Sequence, residues 1–222
     1  LKGLPSILKG EQLSTSIMFP DSSLHLVEGV YKGNFQLDYY NDVLCNTLRA
    51  CIKEHLKADK NKKIRILEIG AGTGGTTTKV IPVLKEFDNV VAQYCYTDLS
   101  KAFLIHAEEN YLPLLPELTT TIFDASKPVA KQSVETDHYD IVIATNVLHA
   151  TPNIRQTLRN AKAVLKNQGI VLLNEMSTWT LFNHLTFGLL EGWWLYEDPS
   201  LRISGSPGLT PEKWQKALQE EG

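Results

Sequence analysis

The 222 residues are 43 % hydrophobic, enough for one buried core with a smaller appendage, and 22 Lys plus Arg against 25 Asp plus Glu (formal charge −3) leave no basic block to track a nucleic-acid backbone. Cys45, Cys51 and Cys95 lack CxxC spacing and follow no secretory leader, which argues against a disulfide framework or a structural zinc and for a reducing cytoplasm. The longest apolar runs are strand-sized, far below the roughly 20 residues of a bilayer span, so a soluble protein without a membrane partner is expected.

Residues 1–20 hold short apolar clusters broken by Gly3, Pro5, Gly10 and Pro20, which predicts a packed linker whose Leu and Ile side chains dock on a core. Over residues 38–56 the apolar side chains (Tyr39, Val43, Leu44, Leu48, Ile52, Leu56) recur at helical spacing, predicting an N-terminal helical cap. Residues 1–60 are thus assigned to linker and lid, and 61–222 to the core. From Ile64 onward strand and helix patterns alternate: strand 64–69, helix 74–86, strand 91–97, helix 101–110, strands 119–123 and 139–145, helix 154–166 and strand 169–174. Asn167-Gln168-Gly169 reads as a helix stop before the last strand, and residues 180–192 as a further helix rich in Leu, Phe and Trp. Such alternation specifies an α/β fold, a mostly parallel Rossmann-like sheet with helices on both faces.

The segment KKIRILEIGAGTGGTTTKV (62–80) runs a buried-strand pattern into a glycine-rich turn and then a helical pattern. Gly70, Gly72 and Gly74 let the backbone turn tightly and approach a ligand where a β-carbon would intrude. Glu68 stands just before them and Asp98 ends the second strand, where such folds place a ribose-binding carboxylate, so an adenosine derivative is the expected ligand. Ligands of open α/β sheets collect outside the carboxyl ends of the strands. Asp124, Asn146, His149, Asn174 and Glu175 also fall at those ends. His149 and Glu175, after adjacent strands, form a candidate proton-transfer pair, with the carboxylate fixing the imidazole tautomer. A surface or hydrogen-bonded structural role for His149, helix capping by Glu175 and simple strand termination by Asp98 are the structural alternatives. The other five histidines lack ligand spacing, and no metal site is expected. Trp193, Trp194 and Tyr196 read either as ordinary core or as the wall of an apolar acyl pocket.

The stretches LEIGAGTGGTT, YCYTDLSKAFL, IATNVLHAT, IRQTLRNAKAVLK, LLNEMS and LTFGLLEGWWLYEDPSLRISGSPGL, with VEGVYKGN and DYYN near the N-terminus, resemble the C-methyltransferase domains of modular polyketide synthases, most closely those of bacterial trans-acyltransferase assembly lines. The resemblance covers nearly the whole chain. It implies a class I methyltransferase sheet with an N-terminal lid, S-adenosylmethionine as cofactor and S-adenosylhomocysteine as product. It implies as substrate a β-ketoacyl thioester on the phosphopantetheine arm of an acyl carrier protein, methylated at its α-carbon, with neighbouring synthase domains as further partners. The family's catalytic histidine and glutamate map onto His149 and Glu175, and an assisting lid tyrosine onto Tyr39 or Tyr31. Glu68 is expected at the loop or the cofactor's methionine part, Asp98 at the ribose, Asp124 at the adenine amine and Asn146 at the cofactor, with Tyr31, Trp193 and Trp194 toward the substrate. O-methylation of a carrier-bound β-hydroxyl, an inactive scaffold and a dehydrogenase are the competing functions. The family's sheet continues through two more strands, one antiparallel, whereas this chain stops at WQKALQEEG, so those strands are expected to be missing and the fifth strand to lie at an open edge.

Overall fold

Five parallel strands carry the molecule: β1 (Ile64–Ile69), β2 (Val91–Asp98), β3 (Leu118–Ile122), β4 (Tyr139–Thr145) and β5 (Leu165–Asn174), in the order β3-β2-β1-β4-β5. The computed structural model describes residues 3–18, 35–87 and 89–222. Burial is almost continuous along β1 and β4, as it must be for strands covered on both faces. Alternate side chains divide into two cores. Ile64, Ile66, Tyr94, Tyr96, Ile141 and Ile143 pack on one side, and Leu67, Ile69, Cys95, Val142 and Ala144 on the other.

The first core is covered by α3 (Phe35–Ala58), α4 (Thr77–Lys85) and α5 (Lys101–Asn110), which contribute Leu44, Leu48, Ile52, Val80, Ile81 and Leu104. The second is covered by α6 (Ile154–Ala163) and a C-terminal helix, Pro211–Glu221, through Ile154, Leu158, Trp214 and Ala217. The helices on both faces and the parallel sheet therefore match the sequence expectation of a Rossmann-like class I methyltransferase fold with an N-terminal helix. Chain direction reverses its lateral course between β1 and β4. A crevice opens there, at the carboxyl ends of the two strands.

Five expected elements differ. Residues 3–18 hold two short helices, α1 (Leu4–Leu8) and α2 (Ser14–Met18), where a linker without regular elements was expected; Pro5 in the first turn of α1 carries a φ already suited to a helix. Leu8 and Leu13 are more than 70 % exposed, so they do not dock. The helix expected from residue 74 starts at Thr77, because Gly74 is used in the turn with φ +76°. α6 stops at Ala163 and β5 begins at Leu165, four residues early, with a register shift and Gln168 at φ +65° making the irregularity. Residues 180–192 do not form one helix. Thr186 leaves helical geometry and Gly188 and Gly192 weaken continuation, so α7 (Leu181–Leu185) is followed by two 3-10 turns, Phe187–Leu189 and Glu191–Trp194. The C-terminal helix, α8 (Pro211–Glu221), had no sequence counterpart; Thr210 caps its N-terminus by accepting from the Lys213 amide.

Candidate active site

The glycine loop is pinned from beneath. Gly70, Gly72 and Gly74 have φ of +60°, +59° and +76°, a region that strains any residue with a β-carbon. At Gly70 a β-carbon would lie 2.2 Å from Val147 Cγ2, so this glycine also permits the close approach of the turn after β4. At Gly72 a β-carbon would meet only the Gly70 carbonyl oxygen, at 3.9 Å, which leaves room for a ligand. Its amide donates to Asp98 Oδ2 (3.0 Å) and its carbonyl accepts from Tyr96 OH (2.6 Å), while Thr73 O accepts from Tyr111 OH (2.8 Å).

Beside this loop lies a cleft of about 240 Å³ at the β1/β4 crevice. The loop backbone forms its floor, Leu37 and Asn41 of α3 one wall, Phe103 of α5 a second, and Phe187 with Leu190 a third; Thr145 and Asn146 close it from the end of β4. Thr145 Oγ1 is buried and has no hydrogen-bond partner among the described residues. Burial raises the Asp98 carboxyl above its ordinary value, and amide donors from Ser100, Gly72 and Leu99 offset part of that. Each Asp98 oxygen keeps room for another donor.

Glu175, just beyond β5, organises the turn after β4. Its Oε1 accepts from the Val147 and Leu148 amides (2.8 and 2.6 Å), and its Oε2 accepts from His149 Nδ1 at 2.6 Å. The glutamate side chain is 2 % exposed and the histidine side chain 10 %. Asn146 enters the turn in the left-handed region (φ +50°), with its amide donating to Asn174 O. A carboxylate can only accept, so Nδ1 of His149 carries the proton and Nε2 offers its lone pair. Among the described residues Nε2 takes no hydrogen bond. The Trp193 ring stands edge-on to the imidazole, 6.1 Å between centroids, and is 6 % exposed. His149 thus stands outside the cleft lining, on the turn that follows the cleft-lining Asn146.

A family model described as a methyltransferase domain matches residues 67–171. The chain is 59 % identical over all 222 residues to polyketide synthase PksR of Bacillus subtilis, of which it spans 9 %. Its fold superposes on the crystal structure of DszA carbon methyltransferase with a TM-score of 0.89 and 38 % identity, covering all of this chain and 56 % of that one. It also matches trans-methyltransferase CalH, solved in complex with SAH, at a TM-score of 0.82 and 30 % identity, covering all of this chain and 58 % of that one. The chain carries a methyltransferase domain, similar to those of polyketide synthases.

Within this methyltransferase domain the other residues singled out from sequence scatter. Glu68 is 1 % exposed and lies outside the cleft lining; it accepts from Thr77 Oγ1 and Tyr94 OH, both at 2.5 Å, and so ties the helix after the loop to β2. Asp124 is also off the cleft lining, accepting from the Ser126 amide and hydroxyl and pairing with Lys127 at 3.0 Å. Burial would raise its carboxyl, but those donors outweigh it and hold it below the ordinary value. Tyr39 stands apart from the cleft lining: Leu37 and Asn41 face the cleft, and a residue midway between them on a helix projects from the opposite side, where Tyr39 is 59 % exposed against Tyr40. Tyr31 lies outside the described residues. Trp194 is half exposed, its indole N–H donating to Gly188 O.

Asn41 and Thr145 are among the cleft residues that escaped sequence reasoning. Asn41, 4 % exposed, accepts from Thr76 Oγ1 and Asn174 Nδ2 and so joins α3 to the loop and β5; its signal was a lone polar residue in an apolar helical stripe. Thr145 offered none, since a threonine ending a strand is unremarkable. Among the described residues no cluster of His, Cys, Asp and Glu could hold a metal, and no helix is long and apolar enough to cross a membrane.

Proposed function

We propose that this domain methylates the α-carbon of a β-ketoacyl thioester held on an acyl carrier protein, using S-adenosylmethionine and leaving S-adenosylhomocysteine. The observation that carries the reading is the His149–Glu175 contact, which puts the proton on Nδ1 and leaves Nε2 without a partner among the described residues, on the turn that continues from the cleft-lining Asn146. The likeness to a carbon methyltransferase, and to a methyltransferase complexed with SAH, supports the reaction and the cofactor class.

The cleft fits the cofactor on this chain's own residues: room over Gly72, apolar walls at Leu37 and Phe103, a Thr145 hydroxyl unpartnered among the described residues and, bonded to the Gly72 amide just off the lining, acceptor capacity on Asp98 for ribose hydroxyls. Asn146 borders the cleft, and Asp124, outside its lining, would offer its remaining acceptor capacity to the adenine amine where the cofactor extends beyond the cleft. When bound, the cofactor supplies an electrophilic methyl group on a sulfonium. His149 Nε2 takes the α-proton, which two flanking carbonyls make acidic enough for a single imidazole. Glu175 holds the ring in the tautomer that can accept, and stabilises the imidazolium that forms. Trp193, Phe187 and Leu190 exclude water and wall the acyl chain, so the carbanion is aligned and desolvated when it attacks. α3 closes one side as part of a lid. The chain spans a small part of the synthases it matches, so neighbouring synthase domains in the cytoplasm would complete its surroundings.

The test is mass spectrometry of a β-ketoacyl carrier protein after incubation with the domain and S-adenosylmethionine, with fragmentation to place the gain. A methyl on the α-carbon is expected. A methyl on oxygen, or no methyl despite cofactor binding, would overturn carbon transfer.

A further inference from the structure

Arg202 is 2 % exposed, its side chain wholly buried, and its guanidinium is spent on the turn that carries His149. Nη1 donates to the carbonyl of His149 itself (2.8 Å) and to Pro207 O (2.7 Å), Nη2 donates to Thr151 O (2.8 Å), and Nε pairs with Asp198. Asp198 Oδ2 in turn accepts from the Ile154 amide (2.8 Å), and the Glu197 amide donates to Pro152 O (2.8 Å). Residues 149, 151, 152 and 154 are therefore each fastened to the 197–202 segment. Lys213 anchors that segment from α8 through the carbonyls of Ser200 and Arg202.

Glu175 grips the same turn from the other side, at the Val147 and Leu148 amides and at the ring. The imidazole is thus fixed by one acceptor on its nitrogen and one donor on its own carbonyl. We propose that Arg202, held by Asp198, is the positioning residue that sets His149 for proton abstraction. The proposal rests on His149 being the base. Five N–H donors in a rigid plane suit three carbonyls and a carboxylate at once, and an ammonium does not reproduce that fork.

Arg202→Met should leave the 149–151 carbonyls without their buried donor and let the turn drift. A displacement of about 1 Å at a reacting group costs on the order of 10²-fold in rate. The expected result is a kcat near 1 % of wild type, with KM for the carrier substrate and the affinity for S-adenosylhomocysteine within about threefold. Alongside, the downfield imidazole N–H resonance of His149, assigned by its loss in His149→Ala, should shift or broaden. Asp198→Asn keeps the shape at that anchor and guards against a misfolded Arg202→Met; it should lower kcat several-fold and move the same resonance. Folded variants with wild-type kcat and an unmoved resonance would overturn the proposal, as would a loss of cofactor affinity in step with kcat, the mark of a general structural role. Undiminished transfer by His149→Ala would instead sink the base assignment on which it rests.

Discussion

Glu68 and Glu175 are both buried carboxylates at the carboxyl end of the sheet, yet their partners give them different work. Glu68 accepts from two hydroxyls, Thr77 and Tyr94, and links β1, β2 and α4. Glu175 accepts from two backbone amides and an imidazole, and so turns the position of a backbone turn into the orientation of a ring. A hydroxyl can donate or accept, whereas an amide N–H can only donate. The first site therefore tolerates a change in its carboxylate, and the second does not.

Replacing each glutamate by glutamine breaks that symmetry. In Glu175→Gln the side-chain oxygen must face the Val147 and Leu148 amides, which turns the NH2 toward His149 Nδ1. The ring then has to accept there and carry its proton on Nε2, the wrong tautomer for a base. Methyl transfer should fall about 10³-fold with the fold intact, read by steady-state rates and circular dichroism. Gly70→Ala should strike both sites, since its β-carbon meets Val147, whose amide Glu175 holds; a loss of about 2–3 kcal/mol in urea unfolding is expected.

Glu68→Gln should leave turnover within about twofold and alter pH dependence instead. Desolvation raises the Glu68 carboxyl from 4.5 to about 6, with the Thr77 and Tyr94 hydroxyls offsetting part of the rise. A folded value above the unfolded one means that the stabilisation is present below pH 4.5 and is lost as pH rises through about 6. The loss is on the order of 2 kcal/mol. Urea midpoints between pH 4 and 7.5 should therefore show a decline in wild type that the glutamine variant lacks. Tyr39→Phe comes last: with its side chain on the outer face of α3, less than a twofold change in rate is expected.

The same contrast separates what sequence could show. Around Glu68 the signals were local: a buried-strand run, three glycines and a helical stripe, each acting within a few residues. The pairing of His149 with Glu175 was legible because they follow consecutive strands, and consecutive strands joined by one helix commonly lie side by side. Beyond Glu175 the chain abandons regular periods. The 180–192 pattern read as one helix, but Thr186 and the glycines broke it, and Arg202 is held by contacts with residues about 50 positions away, which no local pattern encodes. For Tyr39 the helix was foreseen, but which of its faces meets the cleft depends on packing against β5 and the loop.

The most direct test of His149 as base needs no methyl transfer. Wild type and His149→Ala, each saturated with S-adenosylhomocysteine, are given a β-ketoacyl carrier protein in deuterated water, and deuterium uptake at the α-carbon is followed by mass spectrometry. Enzyme-dependent uptake by wild type that disappears in His149→Ala, with equal cofactor affinity, is the predicted result. Equal uptake by the two proteins would contradict it.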